Sequence, residues 1–260
     1  MKHLPNILTL ANLFFGCIAI TFVLNAPTFL TSITGEEYTP VMALEQIYWG
    51  SIFIALAAVM DVFDGLAARL LKVESAIGKD LDSLADVVSF GVAPAMILFK
   101  FLWWGYMSEP GAMETSMWVT APAFLIPCFG ALRLARYNQS SGDQKGSFIG
   151  MPIPAVGLLV ASLPLIQWFP GAWDISSLLI NRWVLYVLII VLCYLMVSKI
   201  RFFKWKPVGK GISTWMPQII IALVVIIGFP FLKFGVIPIA FALYILLSLL
   251  PKNKNLQSQI

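Results

Sequence analysis

The sequence has little charge, almost no histidine and few cysteines. Only 12% of its 260 residues are charged and 60% are apolar, whereas soluble domains carry about 25% charged residues. These proportions exclude a soluble globular domain. The single histidine, His3, leaves no histidine set for a zinc or iron site. The three cysteines lie inside apolar runs without a CxxC spacing, so neither a disulfide framework nor a thiolate metal site is expected.

Long apolar runs dominate the chain instead. A membrane-spanning helix needs about 20 such residues, and the sequence predicts about eight spans, at residues 7–25, 46–70, 80–104, 117–137, 152–169, 182–200, 213–231 and 234–250. Only Lys233 and its neighbours separate the last two spans, which makes that boundary the weakest. The prediction is an all-α polytopic membrane helix bundle that forms one integral membrane domain over residues 1–260. Its catalytic core covers about 1–200, and additional helices cover about 213–250.

The basic residues predict the orientation of these spans, because cytoplasmic loops carry an excess of lysine and arginine. With the N-terminus inside, only Lys100, Arg182 and Lys233 fall outside. Both termini are then cytoplasmic, and we expect the chain in the cell (inner) membrane. The basic residues are scattered over short loops, so nucleic-acid binding is not expected. The residues placed inside are Lys2, Arg69, Lys72, Lys79, Arg133, Arg136, Lys145, Lys199, Arg201, Lys204, Lys206, Lys210, Lys252 and Lys254.

Four aspartates interrupt the second and third spans. Asp61 and Asp64 are three residues apart, and Asp82 and Asp86 are four apart, so each pair lies on one face of its helix. A short connection makes the two helices antiparallel neighbours, and the four carboxylates are expected to meet near the cytoplasmic surface. One aspartate at a helix centre costs roughly 2.5–3.5 kcal/mol on insertion scales, so a bound cation is expected. The alternative is that Asp80 and Asp82 cap the third helix while Asp61 and Asp64 are solvated.

The residue types of this cluster predict the kind of ion. A set of oxygen ligands favours hard cations such as Mg²⁺, Mn²⁺ or Ca²⁺, and four carboxylates suit one or two divalent ions. Gly65 follows Asp64 directly and is costly inside a helix, which favours close approach by a ligand or a partner backbone. The small side chain of Ala68 leaves space on the next turn of the helix. Arg69 offers a guanidinium group that can donate two hydrogen bonds to a phosphate. Gly78 lies in the predicted connection.

The full spacing D-x2-D-G-x2-A-R-x8-G-x3-D-x3-D resembles the signature of the CDP-alcohol phosphatidyltransferase family. It is met at every position from Asp61 to Asp86. The resemblance implies a helical membrane enzyme, commonly a homodimer, that moves a phosphatidyl group from CDP-diacylglycerol to an alcohol and releases CMP. The stretches "PNILTLANLFFG", "SFGVAPA", "RLARYN" and "FIGMPIPA" resemble the branch of membrane-integrated phosphatidylserine synthases. That branch implies L-serine as the acceptor.

The resemblance also implies roles for individual residues. Asp61, Asp64 and Asp82 would be the main metal ligands, with Mg²⁺ or Mn²⁺ as the working ion and Ca²⁺ as another ion that could bind. Asp86 would be the general base and could also touch a metal. The remaining motif residues would hold CDP-diacylglycerol, helped by Asn6 and Thr9, which could equally be interface caps. The motif residues in question are Gly65, Ala68, Arg69 and Gly78.

Serine is a zwitterion, and its site needs a cation for the carboxylate and an acceptor for the ammonium group. Arg133 and Arg136 lie three residues apart at the inner end of the fourth span, with Asn138 nearby, and are the candidates. The alternative is that both arginines reach toward lipid headgroups as topology anchors. Three other functions stay open: a sibling enzyme that uses glycerol 3-phosphate, inositol or choline, a cation transporter, and a purely structural membrane protein.

Overall fold

The computed structural model describes residues 3–32, 38–73, 75–108, 114–139, 147–172, 176–203 and 212–249. Helices make up most of this part of the chain. In chain order they are α1 (Leu4–Leu24), α2 (Leu44–Leu71), α3 (Ala76–Asp86), a π-helical segment (Val87–Val92), α4 (Ala93–Met107), a 3₁₀ segment (Met117–Phe124), α5 (Leu125–Gln139), α6 (Ile153–Trp168), α7 (Ser176–Ile180), α8 (Arg182–Val197), α9 (Ile212–Leu232), a 3₁₀ turn (Lys233–Gly235) and α10 (Val236–Leu249).

Every predicted span corresponds to a helical segment, although their lengths differ. Within the described ranges, five helical runs are long and apolar enough to cross a membrane: Leu4–Leu24, Leu44–Leu71, Ile77–Met107, Met117–Gln139 and Trp215–Leu249. Helices α6 and α8 are shorter, with 16 residues each. The last run holds both final predicted spans in 35 residues, and it is broken at Lys233, whose φ is 48°. The chain is therefore built as a polytopic membrane helix bundle.

Helix α1 and helix α2 form an antiparallel pair. Gly50 of α2 lies so close to Val23 of α1 that an added Cβ would come within 2.6 Å of Val23 Cγ2. Near the other end, Thr9 of α1 bonds to Asp64 of α2. The short antiparallel strands β1 (Thr28–Ser32) and β2 (Tyr38–Met42) connect the two helices. These contacts fix the register in which the two helices face each other.

The run from α3 to α4 forms the centre of the bundle. Its membrane-spanning window is 61% buried, compared with 28% for α1 and 22% for α2. The π-helical segment in its middle contacts α1, α5 and α6. An added Cβ at Gly157 of α6 would lie 2.9 Å from the Phe90 Cα, and one at Gly91 would lie 3.1 Å from the Pro127 Cα. Small residues thus let neighbouring helices pack directly against the turn that follows Asp86.

A second strand pair links segments that are distant in sequence. Strand β3 (Ser147–Ile149) pairs antiparallel with β4 (Arg201–Phe203). The amide of Gly150 donates to the carbonyl of Ile200 at 3.0 Å. Gly150 has φ of +75°, and an added Cβ would collide with the carbonyl oxygen of Met196. Only glycine fits there without strain. Neither strand pair was predicted, because apolar periodicity alone indicates only the helices.

Candidate metal and catalytic site

Three carboxylates from two helices meet at the end of the bundle where α2 ends and α3 begins. The carboxylate oxygens of Asp61, Asp64 and Asp82 lie within 4.8 Å of one another. Helix α2 ends at Leu71 and α3 begins at Ala76, so the chain reverses in a few residues and brings the two acidic faces together. The paired spacing predicted that all four aspartates meet, and three of them lie together here.

The connection is shorter than predicted, and this changes the position of several residues. Helix α3 begins with Ser75 as its N-cap, whose Oγ accepts from the Gly78 amide at 3.0 Å. Gly78, Asp80 and Asp82 therefore all lie inside the helix. The alternative that Asp80 and Asp82 are caps is wrong, because the cap position is taken by Ser75. Asp82 lies about two turns after Ser75, where its carboxylate meets those of α2.

Thr9 fixes one member of the cluster. Its Oγ1 lies 2.7 Å from Asp64 Oδ2 and 3.1 Å from the carbonyl oxygen of Pro5. A hydroxyl has one hydrogen to donate, and the shorter distance favours the carboxylate. Both Thr9 and Asp64 are buried. Thr9 and Asn6 lie inside α1, whose N-cap is His3, so neither residue caps the helix.

Asp86 lies one turn deeper than Asp82, directly before the π-helical segment. Its side chain is 7% exposed. Within the described part of the chain, its Oδ1 and the Oδ1 of Asp82 are buried without a hydrogen-bond partner. Buried carboxylate oxygens are costly unless they are hydrogen-bonded or bind a cation. The oxygen-only donor set and these two open oxygens fit a hard divalent cation.

The predicted phosphate-binding residues surround the open side of the cluster. Arg69 is exposed and donates from Nε to the Gly65 carbonyl at 2.8 Å. An added Cβ at Gly65 would meet only Arg69 Nη2, at 4.0 Å, which leaves open space beside Asp64. At Gly78 an added Cβ would lie 3.2 Å from Asn6 Oδ1. Gly78 thus lets α3 approach α1 closely, and Ala68 lies half-buried on α2 between Asp64 and the end of the helix.

The three residues predicted to bind serine have different surroundings. Arg133 is buried, with its guanidinium 5.4 Å from the Tyr137 ring centre, and its charge interacts with Asp86. Arg136 is exposed, although it lies only one turn away. The Asn138 amide donates from Nδ2 to Ser83 Oγ at 2.8 Å and so ties the end of α5 to α3. Of the three, Arg133 is the one that faces the carboxylates.

The structure adds one residue that the sequence did not single out. Tyr244 of α10 is 7% exposed and interacts electrostatically with Arg133. Its ring stacks on Phe202 of β4, with ring centres 5.5 Å apart. The only sequence signal was a single hydroxyl-bearing aromatic residue in an otherwise apolar helix. The last helix therefore reaches the neighbourhood of the site.

Comparison with known proteins identifies the family of the chain. The sequence model of the CDP-alcohol phosphatidyltransferase family matches residues 2–184. Three similar proteins are each named CDP-diacylglycerol–serine O-phosphatidyltransferase. The Helicobacter pylori protein is 31% identical over 217 residues, which is 82% of this chain and 76% of the relative. The Mycobacterium leprae protein is 29% identical over 252 residues, 94% and 74% of the two chains. The Bacillus subtilis protein is 30% identical over 207 residues, 79% and 93%.

Proposed function

We propose that this chain, which belongs to the CDP-alcohol phosphatidyltransferase family, transfers the phosphatidyl group of CDP-diacylglycerol to L-serine. The products are phosphatidylserine and CMP. The observation that carries the proposal is the convergence of Asp61, Asp64 and Asp82 beside the buried Asp86. The names of the similar proteins support serine as the acceptor.

We assign Asp61, Asp64 and Asp82 as ligands of one or two divalent cations, with Mg²⁺ or Mn²⁺ as the working ion. When bound, such an ion neutralises phosphate charge and polarises the phosphoryl oxygens. Thr9 holds the Asp64 carboxylate in one orientation, so that less ordering is required when the ion binds. Asp82 and Asp86 each contribute an oxygen that has no other partner among the described residues.

Asp86 is the proposed general base. The serine hydroxyl oxygen attacks the phosphorus that bears diacylglycerol, and its proton passes to the Asp86 carboxylate. The bond from that phosphorus to the bridging oxygen breaks, and CMP departs with the electron pair. A carboxylate is a weak base for a hydroxyl of high pKa. It is sufficient when the proton leaves in the same step in which the oxygen attacks. Burial of Asp86 limits competition from water for the phosphatidyl group.

The two substrates approach from different sides of the carboxylates. The open space above Gly65, the exposed Arg69 and the junction of Gly78 with Asn6 form the side for the nucleotide and its phosphates, with Ala68 leaving room between them. Arg133 is the proposed cation for the serine carboxylate. Arg136 is exposed and suits a lipid phosphate, whereas Asn138 positions the end of α5 against α3.

The proposed orientation places this end of the bundle in the cytoplasm of a cell whose inner membrane the helices cross. Arg69, Lys72 and Lys79 lie at the site end, and Lys100 and Arg182 lie at the opposite end. This asymmetry follows the excess of basic residues on cytoplasmic sides. The basic residues that lie outside the described residues are Lys2, Lys145, Lys204, Lys206, Lys210, Lys252 and Lys254. The homodimer implied by the family resemblance also stays a proposal.

One assay tests the function. Purified protein is supplied with CDP-diacylglycerol, Mn²⁺ or Mg²⁺, and one acceptor at a time: serine, glycerol 3-phosphate, inositol or choline. We expect CMP release that depends on serine, stops with a chelator and returns when the divalent ion is restored. If CMP release depends on another acceptor, that compound is the substrate in place of serine. Cation movement without consumption of CDP-diacylglycerol would indicate a transporter.

A further inference from the structure

Asn12 of α1 has a buried side chain with two unpartnered polar atoms. It is 0% exposed, and among the described residues neither its Oδ1 nor its Nδ2 has a hydrogen-bond partner. A buried amide without partners is costly. Leucine or alanine at this position would avoid that cost and would suit an apolar helix. Helix packing therefore does not explain why an asparagine occupies this position.

The surroundings of Asn12 place it at the deep side of the carboxylates. It lies one turn after Thr9 on the buried face of α1. Because α1 and α2 are antiparallel and Thr9 bonds to Asp64, Asn12 is opposite Asp61, one turn before Asp64. The backbone carbonyl oxygen of Asn12 accepts from Ser89 Oγ at 3.0 Å, and Ser89 is one turn after Asp86. Asn12 is thus enclosed by the two helices that carry the acidic residues.

The side chain is directed from there toward the site. In an α-helix the Cα–Cβ bonds tilt toward the N-terminus, and the N-terminus of α1 is at the site end of the bundle. An added Cβ at Gly16, on the next turn of α1, would collide with Ser89 Oγ, so the backbones are in close contact on the far side. The amide therefore has close packing behind it, on the side of Asn12 that faces away from the site end of the bundle.

We propose that Asn12 binds the amino group of the acceptor. This inference rests on the proposed function, and it names a contact that the serine site still lacked. Arg133 supplies a cation for the serine carboxylate, but the ammonium group needs an acceptor. Asn12 Oδ1 provides one on the side of Asp86 away from the nucleotide-binding residues. Bound in this way, serine presents its hydroxyl to Asp86.

The test compares serine with 3-hydroxypropanoate, which is serine without the amino group. The wild-type chain and the Asn12→Leu variant are assayed for CMP release with both acceptors. Because a hydrogen bond to a charged group contributes about 1.5–3 kcal/mol, we expect the preference for serine in kcat/KM to fall by about 10-fold to 100-fold in the variant. The KM for CDP-diacylglycerol and the Mn²⁺ dependence should stay unchanged. Asn12→Asp keeps an oxygen acceptor and should keep the preference.

Stability distinguishes a ligand contact from a structural role. Removal of an unpartnered amide should leave the Tm of Asn12→Leu equal to or above that of the wild type. If Asn12→Leu cannot be purified folded, Asn12→Ala is used for the same kinetic comparison. Gln167→Leu is the matched control, because Gln167 Oε1 is also buried without a partner. Its neighbour Trp168 stacks on Tyr48 near the start of α2, at the other end of the bundle.

An unchanged preference for serine would overturn the proposal, as expected if Asn12 only holds a buried water. An equal loss of kcat/KM with both acceptors would also overturn it. So would a change in the KM for CDP-diacylglycerol or in the Mn²⁺ requirement. Failure of the wild-type chain to use serine at all would overturn the proposed function itself. That result is visible before any variant is compared.

Discussion

Asp86 differs from the other three aspartates in its surroundings. Asp61, Asp64 and Asp82 lie together, and Asp64 accepts a hydrogen bond from Thr9. Asp86 lies deeper and interacts with the charge of Arg133, whereas its buried oxygen without a partner among the described residues is a feature that it shares with Asp82. These differences support separate roles, in which Asp61, Asp64 and Asp82 bind the metal ion and Asp86 accepts the proton.

Asp86→Asn tests that division. The amide keeps the shape of the side chain but cannot accept the proton, so turnover should fall by about 10²-fold or more. Binding of Mn²⁺ and of CDP-diacylglycerol should persist, as measured by calorimetry on the purified protein. Asp82→Asn is the matched variant and should lose Mn²⁺ affinity. Near-normal turnover of Asp86→Asn would remove the assignment of the base.

Thr9→Val tests the bond that holds Asp64. Valine preserves the shape but leaves the buried carboxylate without its donor, which should lower the free energy of unfolding by about 1–3 kcal/mol and raise the Mn²⁺ concentration needed for half-maximal activity. The control is Thr21→Val, because Thr21 Oγ1 donates at 3.0 Å to the carbonyl of Cys17, within its own helix. Thermal unfolding in detergent and metal titration give the two readouts. Equal effects of both substitutions would contradict a specific role for Thr9.

At the scale of elements, two glycines of the motif serve different purposes. Gly78 allows α3 to approach α1, because an added Cβ would press on Ser75 Oγ and Asn6 Oδ1. Gly65 has open space around it, with only Arg69 Nη2 at 4.0 Å. Helix packing therefore explains Gly78, whereas nothing within the described chain fills the volume beside Gly65. A ligand that approaches α2 closely would explain the glycine at position 65.

Gly65→Ala should accordingly separate stability from activity. Alanine favours the helix by about 1 kcal/mol relative to glycine, so the Tm should hold or rise. The added methyl group occupies space that we assign to the nucleotide, so the KM for CDP-diacylglycerol should increase several-fold. Gly150→Ala is the contrasting variant, because its φ of +75° and the Met196 carbonyl make a loss of Tm the expected result. Unchanged kinetics of Gly65→Ala would count against a ligand at this position.

The π-helical segment is the element that links the site to the bundle. A π-turn adds a residue to the helical turn and changes the direction in which later side chains point. Here it follows Asp86 directly and places Ser89, Phe90 and Gly91 in the interior. This segment contacts α1, α5 and α6, and these contacts hold the backbone that follows Asp86. The proposed base is thereby attached to a well-packed part of the fold.

At the scale of the whole molecule, the positions of basic residues predict which end faces the cytoplasm. Single cysteines at the highly exposed positions Ile77 and Trp118 lie at opposite ends, in a background in which Cys17, Cys128 and Cys193 are replaced. In intact spheroplasts a membrane-impermeant maleimide should label Trp118→Cys, and it should label Ile77→Cys only after lysis. The reverse pattern would invert the proposed orientation.

The sequence by itself determined the class of the molecule and the core of its site. Apolar length alone located the helices, because a bilayer demands about 20 apolar residues for each span. Helical periodicity paired Asp61 with Asp64 and Asp82 with Asp86, and a short connection was enough to bring the pairs together. Both inferences depend on local spacing, which does not change when the chain folds.

Only the tertiary structure decided the features that depend on residues distant in the chain. It separated the buried Arg133 from the exposed Arg136, paired β3 with β4 and brought Tyr244 toward Arg133. It also enclosed Asn12 between α1, α2 and the turn after Asp86. The physical reason is that burial and partner contacts are set by how whole helices pack against one another, and one-dimensional spacing does not specify that packing.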